Sequence, residues 1–105
     1  MPPSMPLSGI ARARTLYFLS NRTKWPLWPF LPVIRRRSDC EEELGVLFDS
    51  LGAGGPPGYS CTVVLVNIFL MPPRLEEFLA LPRETFDLPE ELADAGWCVD
   101  VRSVG

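Results

Sequence analysis

The chain has 105 residues, 47% of them hydrophobic and 22% charged, and a net charge of −3. That length and apolar content suit one folded domain burying roughly two thirds of its unfolded surface, and they exclude disorder over the whole length. Histidine is absent, which removes imidazole zinc ligands, Ser-His and Cys-His nucleophile pairs and the imidazole general base.

The net charge hides a split. Residues 1–37 hold seven of the ten basic residues and no acidic one, and the remainder holds three Arg and all thirteen carboxylates. The first eleven residues, with Pro2, Pro3 and Pro6, read as a flexible tail ahead of a single domain over residues 12–105. No basic stretch followed by a long apolar run marks a signal peptide. The most apolar run, Thr62 to Met71, is about half the length that spans a bilayer as a helix. Cys40, Cys61 and Cys98 are odd in number and far apart, a pattern of reduced thiols rather than of a disulfide framework. A cytoplasmic protein without a transmembrane segment is the expectation.

In chain order, Thr15 to Leu19 is a short β-branched and aromatic run that ends at Ser20-Asn21, and it reads as a strand. Residues 24–32 carry Pro26, Pro29 and Pro32 at every third position, which forbids a helix. The same spacing fits polyproline II, with Trp25, Trp28 and Leu31 along one edge of an extended arm. Residues 38–51 have two readings. As a helix, Ser38 is the N-cap, Glu41 completes a capping box, and Leu44, Leu47, Phe48 and Leu51 form one face. As a strand, residues 41–43 oppose Arg35–Arg37 across a short turn. The helix is preferred because it explains both ends, although Gly45 and Val46 count against it.

Residues 52–58 form a Gly/Pro loop. Its lack of a following Lys-Ser/Thr and helix argues against a phosphate loop. Tyr59 to Leu70 reads as the central strand, covered on both faces because residues 63–66 do not alternate. Arg74 to Leu81 is a short helix. Asp87 caps another that has Pro89 in its first turn and closes at Gly96, with Leu88, Leu92 and Ala95 facing inward. Trp97 to Val101 alternates as a final strand, with Trp97, Val99 and Val101 inward. The expected fold is therefore α+β: a small mixed or antiparallel sheet of three to four strands, two or three short helices and an extended Pro/Trp-rich arm.

No catalytic constellation emerges. Lys24 is the only lysine, and the sequential Glu pairs diverge in direction. No metal or cofactor is expected, and the chain reads as a non-enzyme. The candidate binding residues are Trp25, Trp28, Phe30, Arg35, Arg36 and Arg37, because Trp, Phe and Arg are the types enriched at interface anchors. The composition of residues 24–37 resembles that of Trp/Pro-rich cationic membrane-active peptides, but it lacks an amphipathic helical face. A protein partner or self-association is the leading expectation. One alternative is nucleic-acid binding through the basic third of the chain, which the acidic total opposes. The other is an arm that serves only as an internal brace, with Arg35–Arg37 paired to residues 41–43 and the functional site elsewhere.

Overall fold

The computed structural model of the chain describes residues 7–37, 41–55 and 61–101. Ser8 opens the first element: its side chain accepts a hydrogen bond from the Ala11 amide at 3.1 Å and caps helix α1, Gly9–Ser20. The strand expected at Thr15–Leu19 is thus the second half of a helix. The cap and the good helix formers Ala11, Arg12, Ala13 and Arg14 outweigh the strand preference of the residues that follow. Thr15 and Leu19, one turn apart, are the buried positions. The Thr15 hydroxyl donates to the Ala11 carbonyl at 2.8 Å and accepts from the Val99 amide at 3.2 Å, fastening α1 to the sheet. The helix begins inside the stretch expected as a tail; residues 1–6 lie outside the described residues.

The extended Pro/Trp arm does not form. Arg22–Lys24 makes a 3₁₀ turn, and the amides of Trp28 and Phe30 donate to the carbonyls of Trp25 and Leu27 at 3.2 and 2.9 Å. Polyproline II has no such internal bonds. Pro26 instead takes the second position of a tight turn, where its fixed φ fits. The chain then enters strand β1, Phe30–Arg36, which carries Pro32 within it.

Strand β2, Glu42–Phe48, corrects the preferred helix over residues 38–51. It pairs antiparallel with β1 from Phe30↔Phe48 to Arg36↔Glu42. The helix signals were local, whereas the pairing unites seven residue pairs and sets Arg35 and Arg36 against Glu43 and Glu42. The proposed cap, Ser38, lies outside the described residues.

Three shorter strands follow: β3, Thr62–Val64; β4, Arg83–Thr85; and β5, Cys98–Val99. The five strands pair antiparallel in the order β4-β3-β2-β1-β5, one more at least than expected. Besides β2, neither β1 nor β4 was among the expected strands: β1 begins in the stretch read as an extended arm, and β4 has too few residues for a readable alternation. The strand expected over Tyr59–Leu70 is shorter and lies beside the edge, leaving β2 at the centre. Its two-sided burial holds, since Val63 and Val64 are both buried and belong to different core clusters. It ends early because Asn67 starts a 3₁₀ turn, Ile68–Leu70, by accepting from the Phe69 amide at 2.9 Å. Helices α2, Leu75–Leu79, and α3, Pro89–Asp94, fall where expected, but the N-cap of α3 is Leu88, with no side-chain cap hydrogen bond, and not Asp87. Leu88 at the start of α3 is exposed, and Leu92 and Ala93 supply the buried contacts. Trp97 and Val99 face inward; Val101 does not.

Alternation along β1 and β2 divides the core in two. On one face Leu31, Val33, Leu47 and Val63 meet Leu19 of α1, Leu92 of α3 and Trp97. On the other, Val46, Phe48 and Val64 pack with Phe78 of α2. There Phe30 stacks on Phe48 at 5.3 Å between centroids and meets Phe78 edge-on at 5.4 Å. Gly45 makes room for Trp97: a Cβ there would collide with Val63 and sit 3.2 Å from the indole ring.

Candidate functional site

The six candidate binding residues reach three separate places. Trp25 is only 3% exposed and belongs to the helix-covered core. Its indole N–H donates to the Phe18 carbonyl at 2.8 Å, and the Arg22 guanidinium lies 5.3 Å from its ring centroid.

Arg35 and Arg37 are buried on the same face, because they sit two residues apart along the strand direction. The Arg35 guanidinium lies 4.4 Å from the Trp97 ring centroid. It donates twice to Glu43, at 3.0 and 3.1 Å, and twice to Glu84, at 3.0 and 2.6 Å. Arg37 pairs with Glu43, and the Trp97 indole N–H donates to Glu84 at 3.3 Å. Burial alone would lower the Arg35 pKa, but the hydrogen bonds to Glu43 and Glu84, with their charges, raise it above the ordinary arginine value. Burial alone would raise the Glu84 carboxyl; hydrogen bonds from Arg35 and Trp97 and the charges of Arg35 and Arg37 hold it below the ordinary value. The network is a satisfied brace between β1, β2, β4 and the start of β5.

Trp28 and Phe30 come together elsewhere, on the opposite side of the sheet. Trp28 is 45% exposed. Asp49, buried just past β2, accepts its indole N–H at 2.9 Å, faces Arg22 at 3.8 Å and receives the Gly52 amide at 3.4 Å. These contacts fix the indole while leaving much of its surface open. Pro26, Leu27, Trp28 and Phe30 form one wall of an apolar groove of about 590 Å³. Ile68, Phe69 and Met71 form the other. Phe69 and Leu70 are 76% and 74% exposed. They lay within the run expected to be a buried strand; the signal that placed them at the surface was Asn67, a residue type that caps turns by bonding its own following backbone.

Arg36 points to this second side and pairs with Glu42 at 3.4 Å. Glu42, Leu44, Pro32, Asn67 and Asp100 line an adjoining cavity of about 370 Å³, to which Ile68 and Phe69 also contribute.

The thiols of Cys61 and Cys98 have pKa values raised by burial, which keeps them protonated and weakly nucleophilic. Cys40 lies outside the described residues. Among the described residues, no group of three or more His, Cys, Asp or Glu is placed to hold a metal ion, and no helix is long and apolar enough to cross a membrane.

No protein-family model, curated protein or solved structure matches the chain. The functional reading therefore rests on the groove and its surroundings.

Proposed function

We propose that this chain is a non-catalytic binding module that engages a protein partner through the groove between Trp28 and Phe69. The observation that carries this reading is the pairing of a fixed, half-exposed Trp28 with Phe69, which is largely exposed on the other wall of an apolar cleft. Exposed contiguous apolar surface with polar surroundings marks interaction sites, and Trp is enriched among the residues that dominate binding energy. Trp25, Arg35 and Arg37 serve in this reading as the brace that holds the surface, and Arg36 is paired with Glu42, which narrows the candidate set to Trp28 and Phe30 and adds Leu27 and Phe69. The engagement of Arg35 and Arg37 with Glu43 and Glu84 also reduces the basic surface on which nucleic-acid binding would depend.

The test compares the wild-type chain with Trp28→Ala/Phe69→Ser, after circular dichroism has shown that both are folded. Sedimentation velocity reads self-association. Affinity capture from the native cell, followed by titration of each purified captured protein, reads other partners. The reading expects at least one direct interaction that weakens by about thirtyfold or more in the variant, the equivalent of the ~2 kcal/mol that defines an interface hot spot. Interactions of unchanged affinity in the folded variant would overturn it.

A further inference from the structure

We infer that the groove closes against its own counterpart: two copies of this chain pair about a two-fold axis, each placing Phe69 against Trp28 and Phe30 of the other. This rests on the groove reading above and names the partner as a second copy. A two-fold interface sets one patch against itself, so the patch must hold both a projection and the hollow that receives it. Both are present. Phe69 sits on the 3₁₀ turn Ile68–Leu70 and is 76% exposed although it belongs to a groove wall, so most of its surface is free of contacts with its own molecule. The facing wall, with Leu27, Trp28 and Phe30, bounds a space of about 590 Å³, ample for a phenyl ring.

The chemistry of the patch suits a copy of itself. Self-pairing sets a charged side chain near the axis beside its own sign, which opposes association. Among the described residues that line the groove, none carries a charge. Covering the groove also strands no polar side-chain group, because the Trp28 indole N–H already donates to Asp49 at 2.9 Å. A partner recognised through charge would find no counterpart on these walls. A partner that offers a projecting apolar side chain fits, and the chain itself presents one in Phe69. The area also matches. Leu27, Trp28 and Phe69 are 41%, 45% and 76% exposed. At about 150–250 Å² for a whole aromatic side chain, these three with the exposed Pro26 and the half-buried Phe30, Ile68 and Met71 open roughly 450 Å² of apolar surface. Because interfaces are about 57% apolar, that patch and a polar rim make about 800 Å² on each copy, the size of a standard stable interface.

Sedimentation velocity of the full chain from about 1 µM to 1 mM tests this, with Phe69→Ser, Trp28→Ala and an equimolar mixture of the two, each first shown to be folded by circular dichroism. Phe69 is exposed, so its replacement spares the fold and carries the test alone if Trp28→Ala unfolds. Wild type should dimerise with a micromolar or tighter Kd, and each variant alone about tenfold or more weakly. The mixture should regain part of the lost affinity, because Phe69 of one variant meets the intact Trp28 wall of the other; two variants with merely loosened folds would not rescue each other. A wild-type chain that stays monomeric to about 1 mM, a dimer indifferent to both substitutions, or no recovery in the mixture would overturn the reciprocal pairing. In each of these cases a captured partner that binds Trp28→Ala/Phe69→Ser more weakly than wild type would leave the groove reading intact, whereas captured partners that all bind it unchanged would overturn that reading as well.

Discussion

Trp25 and Trp28 stand three positions apart, and the structure assigns them opposite roles that single substitutions separate. Trp25→Ala removes a side chain that is 3% exposed and leaves the Phe18 carbonyl without its indole partner. Large-to-small replacement of a buried aromatic costs about 3–5 kcal/mol, a major share of the 5–15 kcal/mol typical of a whole domain. At about 4–8 °C per kcal/mol for a domain near this size, the melting temperature should fall by roughly 12 °C or more. Trp28→Ala removes a side chain that is 45% exposed and one hydrogen bond to Asp49. The hydrogen bond is worth about 1 kcal/mol net, and the partial burial adds about as much. A fall of about two fifths to two thirds of that of Trp25→Ala follows. Thermal unfolding followed by circular dichroism measures both, at one pH and salt concentration. Equal losses, or a larger loss at Trp28, would refute the division of the two tryptophans into core and surface.

Other consequences are as direct. Arg35→Met strips Glu43 and Glu84 of their shared partner; chemical denaturation should show a loss of about 2–3 kcal/mol, below the 3–5 of a fully buried pair because both carboxylates keep some hydration. Glu84 has a folded-state pKa below its unfolded value, so the unfolded chain takes up the proton first as pH falls. Its stabilisation is complete above the unfolded value of about 4.3 and disappears as pH drops through the folded one; melting temperatures in that acid range should fall less steeply for Glu84→Gln than for wild type. Gly45→Ala forces a methyl into Val63 and the Trp97 ring and should cost about 1–3 kcal/mol by urea titration, whereas an unchanged midpoint would mean that Trp97 does not lie over Gly45. Cys61 and Cys98, protonated by burial, should react with iodoacetamide at neutral pH more slowly than in the urea-unfolded chain, as read by peptide mass mapping; equal rates would contradict their enclosure.

The parts of the fold that were legible in the sequence are those where local chemistry and burial agree. Pro89 in the first turn and Gly96 beyond the last bracket α3, and Gly96 has the positive φ of 98° that such a closing residue takes. The unbroken apolar character of Val63 and Val64 correctly implied cover on both faces. Errors arose where a short window competed with distant contacts. Thr15 to Leu19 has strand-forming side chains, but its conformation was set by a helix nucleated upstream at Ser8. Residues 42–48 carry a helical spacing of leucines and a strand alternation together, and only the partner strand decides between them. Arg83–Thr85 has no internal pattern; it is a strand because β3 offers it an edge.

The candidate site was half legible for a related reason. Residues 24–37 concentrate Trp, Pro and Arg in sequence, yet tight turns and strand alternation disperse them in space. The turn after Trp25 sends one indole under α1 and the next to the opposite side. The two-residue period of β1 then buries Arg35 and leaves Arg36 exposed. Composition names residue types suited to binding, but it does not say which of them the fold uses for its own cohesion. That choice follows from where acceptors for their donors lie: the Phe18 carbonyl draws Trp25 inward, and Glu43 and Glu84 draw Arg35. Trp28 also has an acceptor, in Asp49, but one just past the end of β2, so satisfying its indole N–H leaves the ring surface open. The opposing wall comes from Phe69, carried by a turn far along the chain. A groove made from two distant segments has no continuous signature in either, and only the antiparallel pairing that joins β1 to β2 and β2 to β3 brings its walls together.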